Sequence, residues 1–373
     1  MTKRKFEYYD IRHLLKQYPD AKYYIVFGER SNGKTFSALD VALEYNFREG
    51  SQFAYIRRFG EDIRKKEMTN LFSGHIAAGR LKKIYKDHDY EGIDYSAGKF
   101  RLYQLTENEK IEYVETPIGY AFDLNAMEHY KSISFPNIKY IIFDEFLSRR
   151  GYLPNEFMLF TNTLSTLIRL RDDVKIIMLG NTVNKYSPYF SEMGLTHIKE
   201  QKQGTIDVYK YGSDSSLEVV VEYCKASSVG KKSDVYFAFD NPQLQMITKG
   251  SWEIAIYPKL QYKYKPKDVI TQFFIEFDNE LLHCDIIAQS NTAPYIFIHK
   301  KTTDIQNSDK DIIYGQEPSQ KRNIRVGFSG RDKLSAFIRQ CINENRIFYS
   351  ENTVGEIFRN YVIWINNYSI KNL

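Results

Sequence analysis

The sequence predicts an α/β chain: a first domain built on a mainly parallel sheet, then a smaller α+β C-terminal domain. Three observations carry this expectation. A compact apolar run at residues 23–27 passes directly into a glycine-bearing loop and then into a helical stretch with apolar Phe36, Leu39 and Leu43. Further runs at residues 52–57, 138–143 and 174–179 are largely continuous rather than alternating in hydrophobicity, which is how strands covered on both faces read. After about residue 200 the texture changes to longer, Tyr-rich strands, and a separate unit begins near Asp268.

In chain order, residues 7–18 read as a short helix with apolar Tyr8, Ile11, Leu14 and Leu15. The strand at 23–27, the helix at 36–45 and the strand at 52–57 alternate as a parallel sheet requires, and a helix is expected over 61–71. Residues 99–105 and 110–115 read as a hairpin. The strand at 138–143 precedes a helix at 156–171 and a strand at 174–179. Strands follow at 205–211, 217–223 and 252–257, with a small, polar, basic loop at 226–232. In the C-terminal part, strands at 273–277 and 281–287 flank Asp278-Asn279, a turn pair, and another strand spans 294–299. Helices are expected over 332–345 and 353–365. The expected division is 1–225 for the first domain, 226–260 for a lid or linker, and 261–373 for the second domain.

Composition narrows the function classes. Of 373 residues, 43% are hydrophobic and 27% charged, a globular balance rather than a disordered one. The net charge of +5 permits a polyanionic partner without demanding one. Cys224, Cys284 and Cys341 form no CxxC pair, which argues against a structural zinc site and fits a reducing compartment. The charged opening at residues 1–7 lacks a signal-peptide core, and no apolar run approaches the ~18 residues of a membrane span, so a cytoplasmic location is expected.

Gly28-Glu29-Arg30-Ser31-Asn32-Gly33-Lys34-Thr35 satisfies G-x-x-x-x-G-K-[ST] in full, with a strand before it and a helix after it. The glycines let successive backbone N–H groups turn inward as an anion nest, and the following helix adds its N-terminal dipole. Lys34 is placed to reach the β- and γ-phosphates of ATP, and the Thr35 hydroxyl to ligate Mg2+. The strand at 138–143 delivers Asp144 and Glu145 at its C-terminal tip. Asp144 would hold the magnesium, through water or Thr35, and Glu145 would activate the attacking water as general base. Adjacent acids of this kind point to an ATPase with a catalytic glutamate rather than a small-molecule kinase.

Asn181, at the tip of the next strand, either senses the γ-phosphate or is an ordinary turn residue. Arg169 and Arg171, with Arg149 and Arg150 behind them, are candidates for a cation that meets the transferred phosphoryl group from a neighbouring subunit. A helix C-terminus also attracts arginines for its own dipole. Arg57, Arg58, Arg64, Lys65 and Lys66 form a basic cluster that suits a nucleic-acid backbone or is a solvated face.

These motifs, together with the run Lys131-Ser132-Ile133-Ser134-Phe135-Pro136-Asn137, Leu153-Pro154-Asn155-Glu156, Arg169-Leu170-Arg171-Asp172 and Met178-Leu179-Gly180-Asn181, resemble the DNA-packaging ATPases of phi29-like tailed phages, relatives of the large terminases. The resemblance covers roughly residues 20–190. It implies a P-loop ATPase of the additional-strand, catalytic-glutamate group that pulls double-stranded DNA through the portal into a preformed prohead, as a homopentameric ring. It implies Arg169 or Arg171 acting in trans, Lys131 at the subunit interface, and a C-terminal domain of degenerate ribonuclease-H shape that contacts the portal or packaging RNA. Such a protein works in the host cytoplasm, transiently on the prohead. Asp278 falls in a turn, and no acid cluster completes a two-metal set with Asp285, so nuclease activity is not expected. Lys300-Lys301 and Lys321-Arg322 with Arg325 are the basic residues available there to RNA or portal, or they form a solvated surface. The alternative reading is another ring-forming P-loop ATPase, a helicase or DNA-transfer motor.

Overall fold

A computed structural model describes residues 8–126, 133–149, 151–213, 216–225, 252, 255–261, 263–290 and 292–371. The chain divides into two compact units, Met1–Glu253 and Ile254–Leu373. The first unit runs α1 (Arg12–Gln17), β1 (Tyr23–Gly28), α2 (Lys34–Glu49), β2 (Gln52–Arg57), the short helices α3 (Lys65–Met68), α4 (Ser73–Ala77) and α5 (Arg80–Ile84), then β3 (Gly92–Ser96), β4 (Lys99–Leu105), β5 (Ile111–Tyr113) and β6 (Gly119–Asp123). It continues through β7 (Ile138–Asp144), α6 (Glu156–Ile168), β8 (Lys175–Asn181), α7 (Pro188–Glu192), β9 (Ile206–Tyr211) and β10 (Leu217–Tyr223).

The strands form one ten-stranded sheet in the order β3-β4-β6-β2-β7-β8-β1-β10-β9, with β5 beside β4. From β6 to β10 every neighbouring pair is parallel, and the edges are antiparallel. β8 lies between β1 and β7, so Met178 sits opposite Ile25 on one side and Phe143 on the other. The same register brings the ends of all three strands level: Gly28 pairs with Asn181, and Asp144 with Leu179. Ligands bind at such C-terminal strand ends in open α/β sheets.

Alternation along the strands divides the core into two layers. Tyr24 and Val26 face α2, through Leu39 and Leu43. Ile25, Phe27 and Phe143 face α6, through Phe160 and Leu164. Each of these side chains is at most 5% exposed, and burying a side chain of this size contributes about 1.5–3 kcal/mol.

The second unit contains β11 (Val269–Phe277), β12 (Glu280–Ile287), β13 (Tyr295–Lys300), β14 (Ile313–Gly315), β15 (Ile324–Val326), α8 (Lys333–Asn343), β16 (Ile347–Tyr349) and α9 (Asn352–Lys371). The sheet order is β15-β14-β11-β12-β13-β16. The meander β11–β12–β13 is antiparallel, while β14, β15 and β16 add in parallel. Asp278 and Asn279 form the β11–β12 turn with φ of 52° and 62°, the left-handed pair that a two-residue hairpin needs.

Four expectations differ from what is observed. The helix expected over 7–18 forms only at Arg12–Gln17, and Tyr8 lies exposed before it. The helix expected over 61–71 is broken by extended Arg64, so only α3 and a 3-10 turn at Gly60–Ile63 form. The helix expected to run to Arg171 ends at Ile168, because Arg169 turns to φ 55°. Among the described residues of 252–257 there is no strand: Trp252 packs its ring against Phe27, 5.1 Å between centroids, and residues 255–257 are coil. The remainder of the stretch expected as a lid, 226–250, lies outside the described residues.

Candidate nucleotide site

Between β1 and α2 the chain makes the loop that its glycines allow. Gly33 has φ 96°, a conformation costly for any L side chain, and a Cβ there would lie 3.2 Å from the Tyr8 side chain. A Cβ on Gly28 would come within 2.9 Å of Cys224, which directly follows β10. The loop is anchored from outside by the segment before α1: the Tyr9 N–H donates to the Asn32 carbonyl at 2.8 Å, and the Ile11 N–H to Ser37 Oγ at 2.8 Å.

Lys34 is folded over this loop. Its ammonium donates to the Glu29 carbonyl (2.7 Å), Asn32 Oδ1 (3.1 Å) and Asn181 Oδ1 (3.4 Å). Burial pulls the Lys34 pKa below the ordinary lysine value, with Asp144 and Glu29 among the groups opposing the shift. A phosphate anion in the loop would complete the charge balance of this buried cation.

Thr35 Oγ1 lies 3.2 and 3.1 Å from the two carboxylate oxygens of Asp144. Asp144 also accepts from the Tyr55 hydroxyl at 2.8 Å and from the Glu145 N–H at 3.0 Å. Glu145 adopts φ 56°, a position that costs a non-glycine residue of order 1 kcal/mol and is typical of functional turns. Its carboxylate is held by Arg57 at 2.6 Å, and Arg57 also lies 3.5 Å from Asp62. Arg58 runs under the same turn. It pairs with buried Glu156 at 2.8 Å and donates to the carbonyls of Glu145 (3.2 Å) and Phe146 (2.7 Å). Glu156 is in turn bonded by the Tyr189 hydroxyl at 2.8 Å.

Arg30 to Thr35, Asp144, Glu145 and Asn181 line a cleft of about 850 Å³, within the size range of small-molecule pockets, whose walls also include Tyr8, Phe36 and Arg80. Gly28 to Thr35, Asp144, Glu145 and Asn181 therefore come together as the sequence placed them. Tyr8, Tyr55 and Arg80 were missed. A tyrosine inside an apolar strand reads as core, and no signal in the sequence turns its hydroxyl toward Asp144.

Other candidates are placed differently. Arg57 and Arg58 are corrected: their side chains are 18% and 7% exposed and engaged with Glu145 and Glu156, so they are not a face for a nucleic-acid backbone. Arg64, Lys65 and Lys66 are exposed. Arg171 is engaged within its own chain: its guanidinium donates to the carbonyls of Ile138 (2.6 Å), Phe135 (3.2 Å) and Leu167 (2.8 Å). Arg169 makes one exposed bond to the Ile133 carbonyl at 3.0 Å. Lys131 and Arg150 lie outside the described residues. In the second unit Lys300 pairs with Glu280 (2.9 Å), Arg322 with Glu276 (2.9 Å) and Arg325 with Asp332 (3.1 Å), while half-buried Lys301 donates to Thr303 Oγ1 at 2.8 Å and Lys321 is exposed.

The sequence profile of the Podovirus DNA encapsidation protein (Gp16) family matches residues 3–234. Among curated proteins, the DNA packaging protein of Bacillus phage B103 is 29% identical over 173 residues, 46% of this chain and 47% of that protein. The DNA packaging protein of Bacillus phage phi29 is 27% identical over 169 residues, 44% of each chain. The chain thus matches about half the length of these relatives. A chain of the bacteriophage Phi-29 genome packaging motor assembly shares the fold with a TM-score of 0.56 and 19% identity, over 95% of this chain and 97% of that one. With its profile match spanning more than half of its length, from the phosphate loop through the acidic strand, this chain belongs to the Podovirus DNA encapsidation protein family.

Proposed function

We propose that this protein is an ATP-driven double-stranded DNA translocase that packages a phage genome into a preformed prohead through the portal. The observation that carries the reading is the convergence of Lys34, Thr35, Asp144 and Glu145 in one cleft of a DNA-encapsidation-family chain. In it, the loop N–H groups and Lys34 bind the triphosphate. Thr35 Oγ1 and the Asp144 carboxylate are hard oxygen donors suited to Mg2+, which supplies charge neutralisation on the β- and γ-phosphates. Tyr55 orients Asp144. Glu145 is the general base, and its bond to Arg57 is a resting position that it must leave to reach the attacking water.

β8, between the phosphate-loop strand and the acidic strand, supports membership of the additional-strand group. The order β13-β12-β11-β14-β15, an antiparallel meander extended by parallel strands, supports a ribonuclease-H-like second domain, without nuclease activity, that contacts portal or packaging RNA. The working form is a homopentameric ring, formed in the host cytoplasm and docked transiently on the prohead. In that ring Arg169 meets the γ-phosphate of a neighbouring subunit, near Lys131 at the interface. Its single exposed hydrogen bond, against the three that fix Arg171, favours it for this role.

The test is ATP hydrolysis by wild type, Arg169→Ala and Glu145→Gln, singly and mixed, with and without double-stranded DNA. The expected result is DNA-stimulated turnover, two inactive single variants, and activity regained in the mixture, where Glu145→Gln supplies the missing arginine. Turnover indifferent to DNA and to Arg169→Ala would leave an ATPase without the proposed motor.

A further inference from the structure

On the second unit's sheet, β12 and β13 bring three metal-ligating side chains to one face. His283 and Asp285 are two residues apart on β12 and so point the same way. His299 is the register partner of His283 across the ladder. This is the face away from α9, since the alternate residues of the sheet, such as Phe277, pack against α9 through Tyr361. His283 Nε2 lies 3.1 Å from one Asp285 oxygen, and His299 Nε2 lies 3.7 Å from the other. The imidazoles stack with centroids 4.7 Å apart and planes 27° apart. All three potential ligand atoms fall within 4.8 Å of one another, the single such cluster among the described residues.

We infer that His283, Asp285 and His299 bind one divalent transition-metal ion of the zinc class. Ligand atoms about 2.0–2.1 Å from a tetrahedral ion stand about 3.4 Å apart, and the 3.1 Å between His283 Nε2 and Asp285 Oδ1 lies close to that value. A separation of 3.7 Å is too long for a hydrogen bond but ordinary between two ligands of one ion. The outer partners are those of a metal site. His299 Nδ1 lies 3.2 Å from the Lys300 carbonyl, and with the proton on Nδ1 this contact would leave the Nε2 lone pair facing Asp285. The Tyr264 hydroxyl donates to Asp285 Oδ2 at 2.8 Å and orients the carboxylate. Two imidazoles select zinc, cobalt, nickel or copper over magnesium, so this site differs in kind from the oxygen donors of the phosphate loop. The His299 side chain is 35% exposed, which leaves the fourth coordination position to solvent or to a group from a docked molecule.

The experiment uses the full, nucleotide-free chain after treatment with a chelator, titrated with Co2+ and then Zn2+. The expected result is one Co2+ per chain with the visible absorption of four-coordinate cobalt, displaced by Zn2+. The signal should persist in Thr35→Ala, which removes an oxygen donor from the phosphate loop, and affinity should fall by roughly 100-fold or more in His299→Gln. A wild-type chain that gives no cobalt spectrum overturns the inference, and this readout requires no variant to fold. Binding of equal affinity in folded His299→Gln also overturns it.

Discussion

Replacing Tyr55 with Phe tests how the site holds its acidic centre. The substitution removes one oxygen and leaves the ring in the core, where Tyr55 is 1% exposed. Asp144 then loses one of three donors, the hydroxyl at 2.8 Å, while Thr35 and the Glu145 N–H remain. A hydrogen bond to a buried charged group contributes about 1.5–3 kcal/mol. For a unit of this size that corresponds to a fall of about 3–10 °C in the midpoint of its unfolding. If Tyr55 orients Asp144 for the metal, part of the same energy is lost from Mg2+ binding, and about 1.4 kcal/mol there is a tenfold weaker affinity. The assay is ATP hydrolysis at fixed ATP against Mg2+ concentration, beside a thermal melt. The expected outcome is a half-saturating Mg2+ concentration raised about tenfold, with a lower melting midpoint. A lower midpoint with unchanged Mg2+ dependence would refute the positioning role and leave Tyr55 a core residue.

Three other outcomes are expected. Arg58→Ala leaves Glu156 buried with its charge uncompensated, a loss of about 3–5 kcal/mol, so chemical denaturation should show a much less stable first unit. Arg57→Ala frees Glu145. Because the Glu145 side chain is 56% exposed, their pair is worth about 0–1 kcal/mol, so hydrolysis without DNA should rise by at most about fivefold and stimulation by DNA should shrink. His75 is buried, stacked 3.9 Å from Phe36, and burial depresses its pKa. The unfolded chain therefore takes up this proton more readily than the folded one. The contribution of His75 is complete above its unfolded value of about 6.5 and is lost as pH falls below it. A melt series from about pH 7.5 to about pH 5 should show a shallower decline for His75→Phe than for wild type.

The phosphate loop and the acidic strand end were legible because their chemistry constrains both residue type and context: glycine where φ is positive, a strand before, a helix after. The parallel core was legible because its strands are continuously apolar. Direction was not legible. Arg57 and Arg58 read as a basic cluster, yet one closes on Glu145 and the other on Glu156, and both partners lie far away in sequence. Arg169 and Arg171 look alike at the end of one helix, and only the folded turn shows Arg171 bound to three carbonyls. The three-residue strands β14, β15 and β16 are too short to display a period, so the parallel half of the second sheet could not be read. His283, Asp285 and His299 were invisible as a group, since the ladder register that joins them is a tertiary fact.

The central claim is that hydrolysis through Glu145 drives DNA into a shell. It is tested most directly by assembling the protein with proheads, genomic DNA and ATP, and then measuring how much DNA becomes protected from added nuclease. Wild type should protect DNA in an ATP-dependent manner, and Glu145→Gln should bind ATP yet protect none. Equal protection by Glu145→Gln, or protection without ATP, would contradict the account.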